Sequence, residues 1–157
     1  MENKIKYQIG DATNPICQGN KIIVHICNDI GAWGKGFVLA VSKRWIEPEQ
    51  EYKKWFKSEI DFGLGKVQFV KVSNDLIVAN LIGQRDIRYK DSTSPIRYDA
   101  VKRGLDIISK KAIEINATIH MPRIGCGLAG GEWNIIEGLI DLELIKKGIE
   151  VNVYDLK

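Results

Sequence analysis

Short apolar runs and helical apolar stripes alternate along this chain from end to end. That alternation constrains the fold more than any other feature of the sequence. Residues 5–9 alternate apolar and polar and stop at Gly10-Asp11. Residues 21–27 form a continuous apolar run rich in Ile and Val, bounded by Asn20 and Asn28, as a buried central strand would be. Phe37, Ala40, Val41 and Trp45 are at helical spacing. A second short helix is predicted over 48–60, with Tyr52, Trp55 and Phe56 on one face and Pro48 near its first turn. Residues 66–72 and 76–82 read as a strand pair around the turn Ser73-Asn74-Asp75. Ser94-Pro95 is expected to cap and open a helix striped by Val101, Leu105, Ile108, Ala112 and Ile115. A strand is predicted over 117–124, then a glycine loop over 125–131. The next helix carries Trp133, Ile136, Leu139, Ile140 and Leu144 and ends at Gly148. Residues 149–156 alternate as a last strand. The expected fold is α/β, a three-layer α/β/α sandwich around a mixed, mostly parallel sheet. Ligands of such sheets bind beyond the carboxyl ends of the strands, where both glycine clusters of this chain fall.

Composition narrows the class. A length of 157 residues predicts one domain, 1–157. Apolar residues at 45% and charged residues at 27% are the balance of an ordinary globular protein. The net charge, 23 − 20 = +3, is spread without a basic run, so an unmodified nucleic acid is not the expected partner. No apolar run approaches the roughly 18 residues of a membrane span, and the start Met1-Glu2-Asn3-Lys4 has no signal-peptide pattern. The three cysteines, Cys17, Cys27 and Cys126, are odd in number and form no C-x-x-C. With only two histidines, His25 and His120, neither a disulfide framework nor a metal site is expected. These features together predict a reduced, cytoplasmic monomer that needs no cofactor.

Two segments can carry chemistry. The first is Pro122-Arg123-Ile124-Gly125-Cys126-Gly127-Leu128-Ala129-Gly130-Gly131, ahead of a helix. Glycines let a ligand approach the main chain closely, and a helix start offers free N–H groups and a positive dipole end. Together these make an anion site, most naturally for phosphate. Gly125, Gly127 and Gly130 also spell G-x-G-x-x-G, but too little chain follows for a dinucleotide-binding Rossmann fold. The second segment, from His25 to Phe37, again runs strand, glycine loop, helix. It fails as a Walker loop because Asp29 stands at the first glycine position and Gly36 follows Lys35. Asn28 and Asp29 offer polar groups there, and Trp33 offers either a wall or a core aromatic. Lys35 reads first as a solvated lysine. His25 sits inside an apolar run, as core histidines do, with proton transfer as its alternative role. Cys126 beside a helix start would have a lowered thiol pKa, but no base for it can be assigned. Asp11, after the first strand, can accept from an exocyclic amine or cap a turn.

These segments together resemble the macrodomain family. The matching stretches are Gly10-Asp11-Ala12-Thr13, Cys27-Asn28-Asp29 with Gly34-Lys35-Gly36, and Pro122 to Leu128. The branch that the chain resembles holds terminal ADP-ribose protein glycohydrolases, DNA ADP-ribosyl glycohydrolase antitoxins and yeast-type ADP-ribose-1''-phosphate phosphatase. The resemblance implies an ADP-ribose cleft at the carboxyl end of the sheet. Asp11 and the Ala12 amide would take adenine, with Leu156 against the ring. Asn28 and the Gly34–Gly36 backbone would wrap the distal ribose, and Gly125 to Gly130, including Cys126, Leu128 and Ala129, would cradle the diphosphate.

Two positions depart from the glycohydrolases. Gln84 stands where they carry a lysine, and an amide can form no Schiff base. Ala129 stands where they carry an acidic residue. The first loop, with His25, Asn28, Trp33, Gly34 and Gly36 in order, is closer to the phosphatase. The expected activity is hydrolysis of an ADP-ribose derivative, best the phosphomonoester of ADP-ribose 1''-phosphate. Asn28, Asp29 and the Gly34–Gly36 region would orient the phosphate and a water, with His25 carrying the proton. The alternatives are a non-catalytic ADP-ribose-binding module and lysine-independent deglycosylation of protein or DNA.

Overall fold

The computed structural model describes residues 4–88 and 93–156; the Met1-Glu2-Asn3 start read above lies outside them. The elements run β1 (Lys6–Ile9), β2 (Lys21–Asn28), α1 (Phe37–Arg44), α2 (Glu47–Ser58), β3 (Val67–Ser73), β4 (Leu76–Gln84), α3 (Tyr98–Ile115), β5 (Thr118–Met121), α4 (Trp133–Glu143) and β6 (Val151–Asp155). The six strands form one sheet in the order β1-β6-β5-β2-β4-β3. Every neighbouring pair is parallel except the β3–β4 hairpin. This is the mixed, mostly parallel α/β/α sandwich expected from the alternation.

The continuous apolar run of β2 is explained by burial on both faces. Ile22 and Val24 enter the core under α3 and α4, whereas Ile23 and Cys27 enter the core under α1 and α2. Successive strand side chains point to opposite faces, so a strand covered on both sides has no solvent face to fill with polar residues. Among the described residues, no helix is long and apolar enough to cross a membrane.

Three sequence-based boundaries need correction. Ser94-Pro95 does not open α3; Arg97 is its N-cap. The preceding backbone is consumed by the end of β4: Arg85 N–H donates to Pro95 O at 2.8 Å, Arg97 N–H donates to Gly83 O at 2.9 Å, and Ile96 bridges Gln84. The strand expected over 117–124 ends at Met121, because Pro122 has no N–H to give the ladder. Gly148, in left-handed conformation, closes a separate 3₁₀ turn, Ile145–Lys147, that follows α4.

Candidate functional site

The carboxyl ends of β2, β4 and β5 converge on a cavity of about 310 Å³. One wall comes from the β2–α1 loop and the first turn of α1: Lys35, Gly36, Phe37 and Val38. The opposite wall is the β5–α4 loop, with Gly125, Gly127, Leu128 and Ala129; His25 and Gln84 line it from β2 and β4. The two loops meet: a Cβ placed on Gly36 would lie 3.7 Å from Leu128 Cδ1. Gly36 caps α1 at φ 84°, a conformation that favours glycine, so the chain can turn into the helix directly at the cavity.

Main-chain amides without an internal acceptor border this space on both sides. Among the described residues, no acceptor is found for the amides of Phe37 and Val38 in α1, nor for those of Gly127, Leu128 and Ala129. The start of α1 is thus the helix end that lines the cavity. Sequence reasoning assigned that part first to the helix after the Gly125–Gly131 loop, and the structure corrects it. Gly131 N–H turns inward to Gly125 O at 2.7 Å, Gly130 N–H bonds Gly127 O at 3.1 Å, and Glu132 N–H is taken by the Tyr98 hydroxyl at 2.9 Å. What remains at the cavity is a cluster of main-chain donors with Lys35 exposed beside it, an arrangement suited to an anion.

His25 is fully buried. Its Nε2 is 2.6 Å from Asn80 Oδ1, and its ring meets Trp33 edge-on and Phe37 at a tilt. Burial pushes its pKa down to about 4, partly offset by the hydrogen bond to Asn80, so the ring is neutral near pH 7. Gln84 is half-buried, and its Nε2 donates to Asp86 O at 2.9 Å.

Several expected site residues have other work in the fold. Asn28 is not in the cavity lining. Its Oδ1 accepts from the amides of Ile30 and Ala32 at 3.1 and 3.0 Å, and its Nδ2 donates to Ala32 O at 2.7 Å. Tyr52 Oη stands 2.6 Å from Asn28 O and 2.8 Å from Asn28 Oδ1. Asn28 therefore braces the loop from inside. Asp29 Oδ1 accepts from the Asp86 amide at 2.7 Å, tying the β2–α1 loop to the segment after β4. Trp33 is a core aromatic behind His25, its Nε1 donating to Ser42 Oγ at 2.7 Å. Gly34 is exposed, and a Cβ there would meet nothing within 4 Å. Cys126 Sγ donates to Ile124 O at 3.4 Å, and burial pushes its thiol pKa up, against the lowering expected beside a helix start.

Asp11, Ala12 and Leu156 lie apart, at the β1–β6 end of the sheet. Asp11 Oδ1 accepts from the Thr13 amide and hydroxyl at 2.8 and 2.7 Å, and its Oδ2 meets Arg44 at 3.2 Å. Burial opposes ionisation of Asp11, but the Thr13 hydrogen bonds and Arg44 outweigh it and hold the carboxyl below its ordinary range. Ala12 is buried, and Leu156 is 81% exposed just past β6.

Sequence reasoning did not single out Arg123 as a site residue. It lines the cavity, pairs with Asp155 through two contacts of 2.7 and 3.0 Å, and lies 5.1 Å from the ring centroids of both Tyr7 and Trp133. The one available signal was an arginine just ahead of the glycine loop; two of its partners, Tyr7 and Asp155, come from the two ends of the chain.

No family model matches the chain. It is similar to a Bacteroides thetaiotaomicron protein of unknown function, with 56% identity, TM-score 0.96 and 98% of each chain covered. It is also similar to the macrodomain protein from Streptomyces coelicolor, with 49% identity, TM-score 0.88, and 97% of this chain and 99% of that chain covered. Among curated proteins, the chromodomain-helicase-DNA-binding protein 1-like of Danio rerio is 34% identical over 160 residues, covering 96% of this chain. The chain spans only 15% of that relative's length. The ADP-ribose 1''-phosphate phosphatase of Candida albicans is 24% identical over 143 residues, covering 87% of this chain and 91% of that protein.

Proposed function

The chain belongs to the macrodomain family, and on that ground we propose that its cavity holds ADP-ribose and that it hydrolyses an ADP-ribose derivative, the phosphomonoester of ADP-ribose 1''-phosphate. The observation that carries this reading is the meeting of two glycine loops over one cavity, each offering main-chain amides without an internal acceptor. A diphosphate bridging those loops satisfies donors that the fold leaves open. The similarity to the Candida albicans phosphatase supports the choice of substrate. Gln84 lines the cavity where the glycohydrolase branch is expected to carry a lysine, which argues against amine chemistry at this site.

In this reading the α1 start and the Gly34–Gly36 backbone hold the terminal phosphoryl group. Asn28 and Asp29 contribute through the loop that they brace. Water attacks phosphorus, the bond from phosphorus to the ribose oxygen breaks, and the proton lost by water is returned to the leaving oxygen. His25 carries that proton. Main-chain donors placed in advance stabilise the charge that develops.

Phosphate release from ADP-ribose 1''-phosphate by the purified protein, above a water control, is the expected result. Calorimetry with ADP-ribose supplies the second arm. Gly127 is exposed and a Cβ there meets nothing within 4 Å, so Gly127→Glu leaves the fold intact and sets a carboxylate against the diphosphate. Binding should be abolished. A variant that binds as well as its parent rejects the loop assignment. Binding without release leaves an ADP-ribose-binding module.

A further inference from the structure

The neighbours of His25 determine which of its nitrogens carries the proton. Asn80 faces it from the adjacent strand at the same register position. The orientation of the Asn80 amide is set from its far side: its Nδ2 donates to Pro48 O at 3.1 Å and to Gln68 Oε1 at 3.0 Å. Asn80 Oδ1 must therefore be the atom turned to His25, and at 2.6 Å from Nε2 it can only accept. The proton of the neutral ring is on Nε2. Cys27 Sγ, 3.9 Å away, is on that same nitrogen. The other nitrogen, Nδ1, is left with a bare lone pair. Among the described residues, it is the one buried side-chain nitrogen or oxygen without a hydrogen-bond partner.

Leaving a buried acceptor unsatisfied costs roughly as much as a lost hydrogen bond, and His25 is one of the residues around the cavity, so its open Nδ1 points to a ligand. We infer that Asn80 is a positioning residue that fixes the His25 proton on Nε2 and leaves Nδ1 as an acceptor, and that the ligand atom seated against His25 Nδ1 is an O–H donor, not a phosphoryl oxygen. A phosphate oxygen brings lone pairs to a lone pair and is repelled. A hydroxyl of the distal ribose, or a water held at the reacting end, supplies the missing hydrogen. This inference rests on the ADP-ribose reading of the cavity. It deepens that reading by assigning the polarity of one subsite: hydroxyl toward His25, phosphoryl toward the amides of the β2–α1 loop.

The test combines ¹⁵N NMR of the histidine side chains with calorimetry. In the free protein, His25 should show the proton on Nε2 throughout pH 5–8. A proton on Nδ1 overturns the inference whatever the protein binds. Asn80→Asp keeps an oxygen toward Nε2 but charges it, so the titration of His25 should climb from about 4 toward neutrality with the Nε2–H form retained. Asn80→Leu removes the acceptor and should give mixed tautomers. Both substitutions are at a fully buried position. The free wild-type spectrum and His25→Phe carry the test if either variant fails to fold.

His25→Phe should weaken ADP-ribose about tenfold and leave ADP, which lacks the distal ribose, unchanged. A shift of Nδ1 on adding ADP-ribose but not ADP identifies the ribose hydroxyl as donor. A hydrogen-bonded Nδ1 already present in the free protein and unmoved by either ligand identifies water. Equal ADP-ribose affinity in His25→Phe and wild type, together with an Nδ1 that carries no hydrogen bond in either the free or the bound protein, rejects the subsite while leaving the proposed function standing. Failure of wild type to bind ADP-ribose rejects the proposed function itself.

Discussion

Tyr52 shows how a single side chain supports the site without touching it. It is fully buried, and its hydroxyl holds Asn28 by both carbonyl and side-chain oxygen. Removing the hydroxyl takes away one donor proton, which the nearer Asn28 carbonyl loses, while Oδ1 keeps the amides of Ile30 and Ala32. Tyr52→Phe should cost about 1–2 kcal/mol of stability by chemical denaturation and weaken ADP-ribose a few-fold as the β2–α1 loop loosens. An affinity unchanged by the substitution would mean that the loop needs no such brace. The sequence made Tyr52 legible as part of an aromatic helix face, but gave no sign of its partner 24 positions away. His25 was legible in the same partial way. Its place in an apolar run announced burial, but its orientation depends on Asn80, Gln68 and Pro48, which come from three other elements. Hydrogen-bond partners across strands leave no local periodicity to read.

At the level of elements, the helices and strands followed their apolar spacing closely, and the errors fell where tertiary pairing took over the backbone. Ser94-Pro95 has the chemistry of a helix start, but the end of β4 claims that segment as a bridge. The same sheet sets how near α3 may lie. Gly104, in the middle of α3, faces β4, and a Cβ there would fall 2.4 Å from Leu81 Cγ. Alanine in a helix interior normally gains about 0.5–1 kcal/mol over glycine. Here the collision with a fully buried leucine outweighs that gain, and Gly104→Ala should lower stability by about 1–3 kcal/mol in a urea titration. A stabilised variant would show that α3 can lift from the sheet at no cost. The glycine loops themselves were legible as turns at the carboxyl end of the sheet, where residues of both line one cavity. Which helix start faces the cavity was not, because that depends on internal bonds such as Gly131 to Gly125.

Across the whole molecule, burial of the two histidines couples stability to pH. Burial lowers the pKa of both His25 and His120 to about 4, against about 6.5 in an unfolded chain. The unfolded state therefore binds more protons between those values, and stability present above pH 6.5 is lost as pH falls toward 4. Each histidine contributes on the order of 3 kcal/mol to that loss. The melting temperature should be flat above neutrality and fall steeply from about pH 6.5 to 4, before the lowered carboxylates Asp11 and Glu143 protonate. A melting temperature unchanged down to pH 4.5 would show that the rings take up protons inside the fold.

The arch in which Leu128 leans toward Gly36 joins loop to loop, and no strand takes part in it. Widening that arch asks for a shift of two connecting segments and of none of the six paired strands beneath them. Its keystone is a leucine that is itself 63% open to water, so trimming it alters the arch and none of the strand packing.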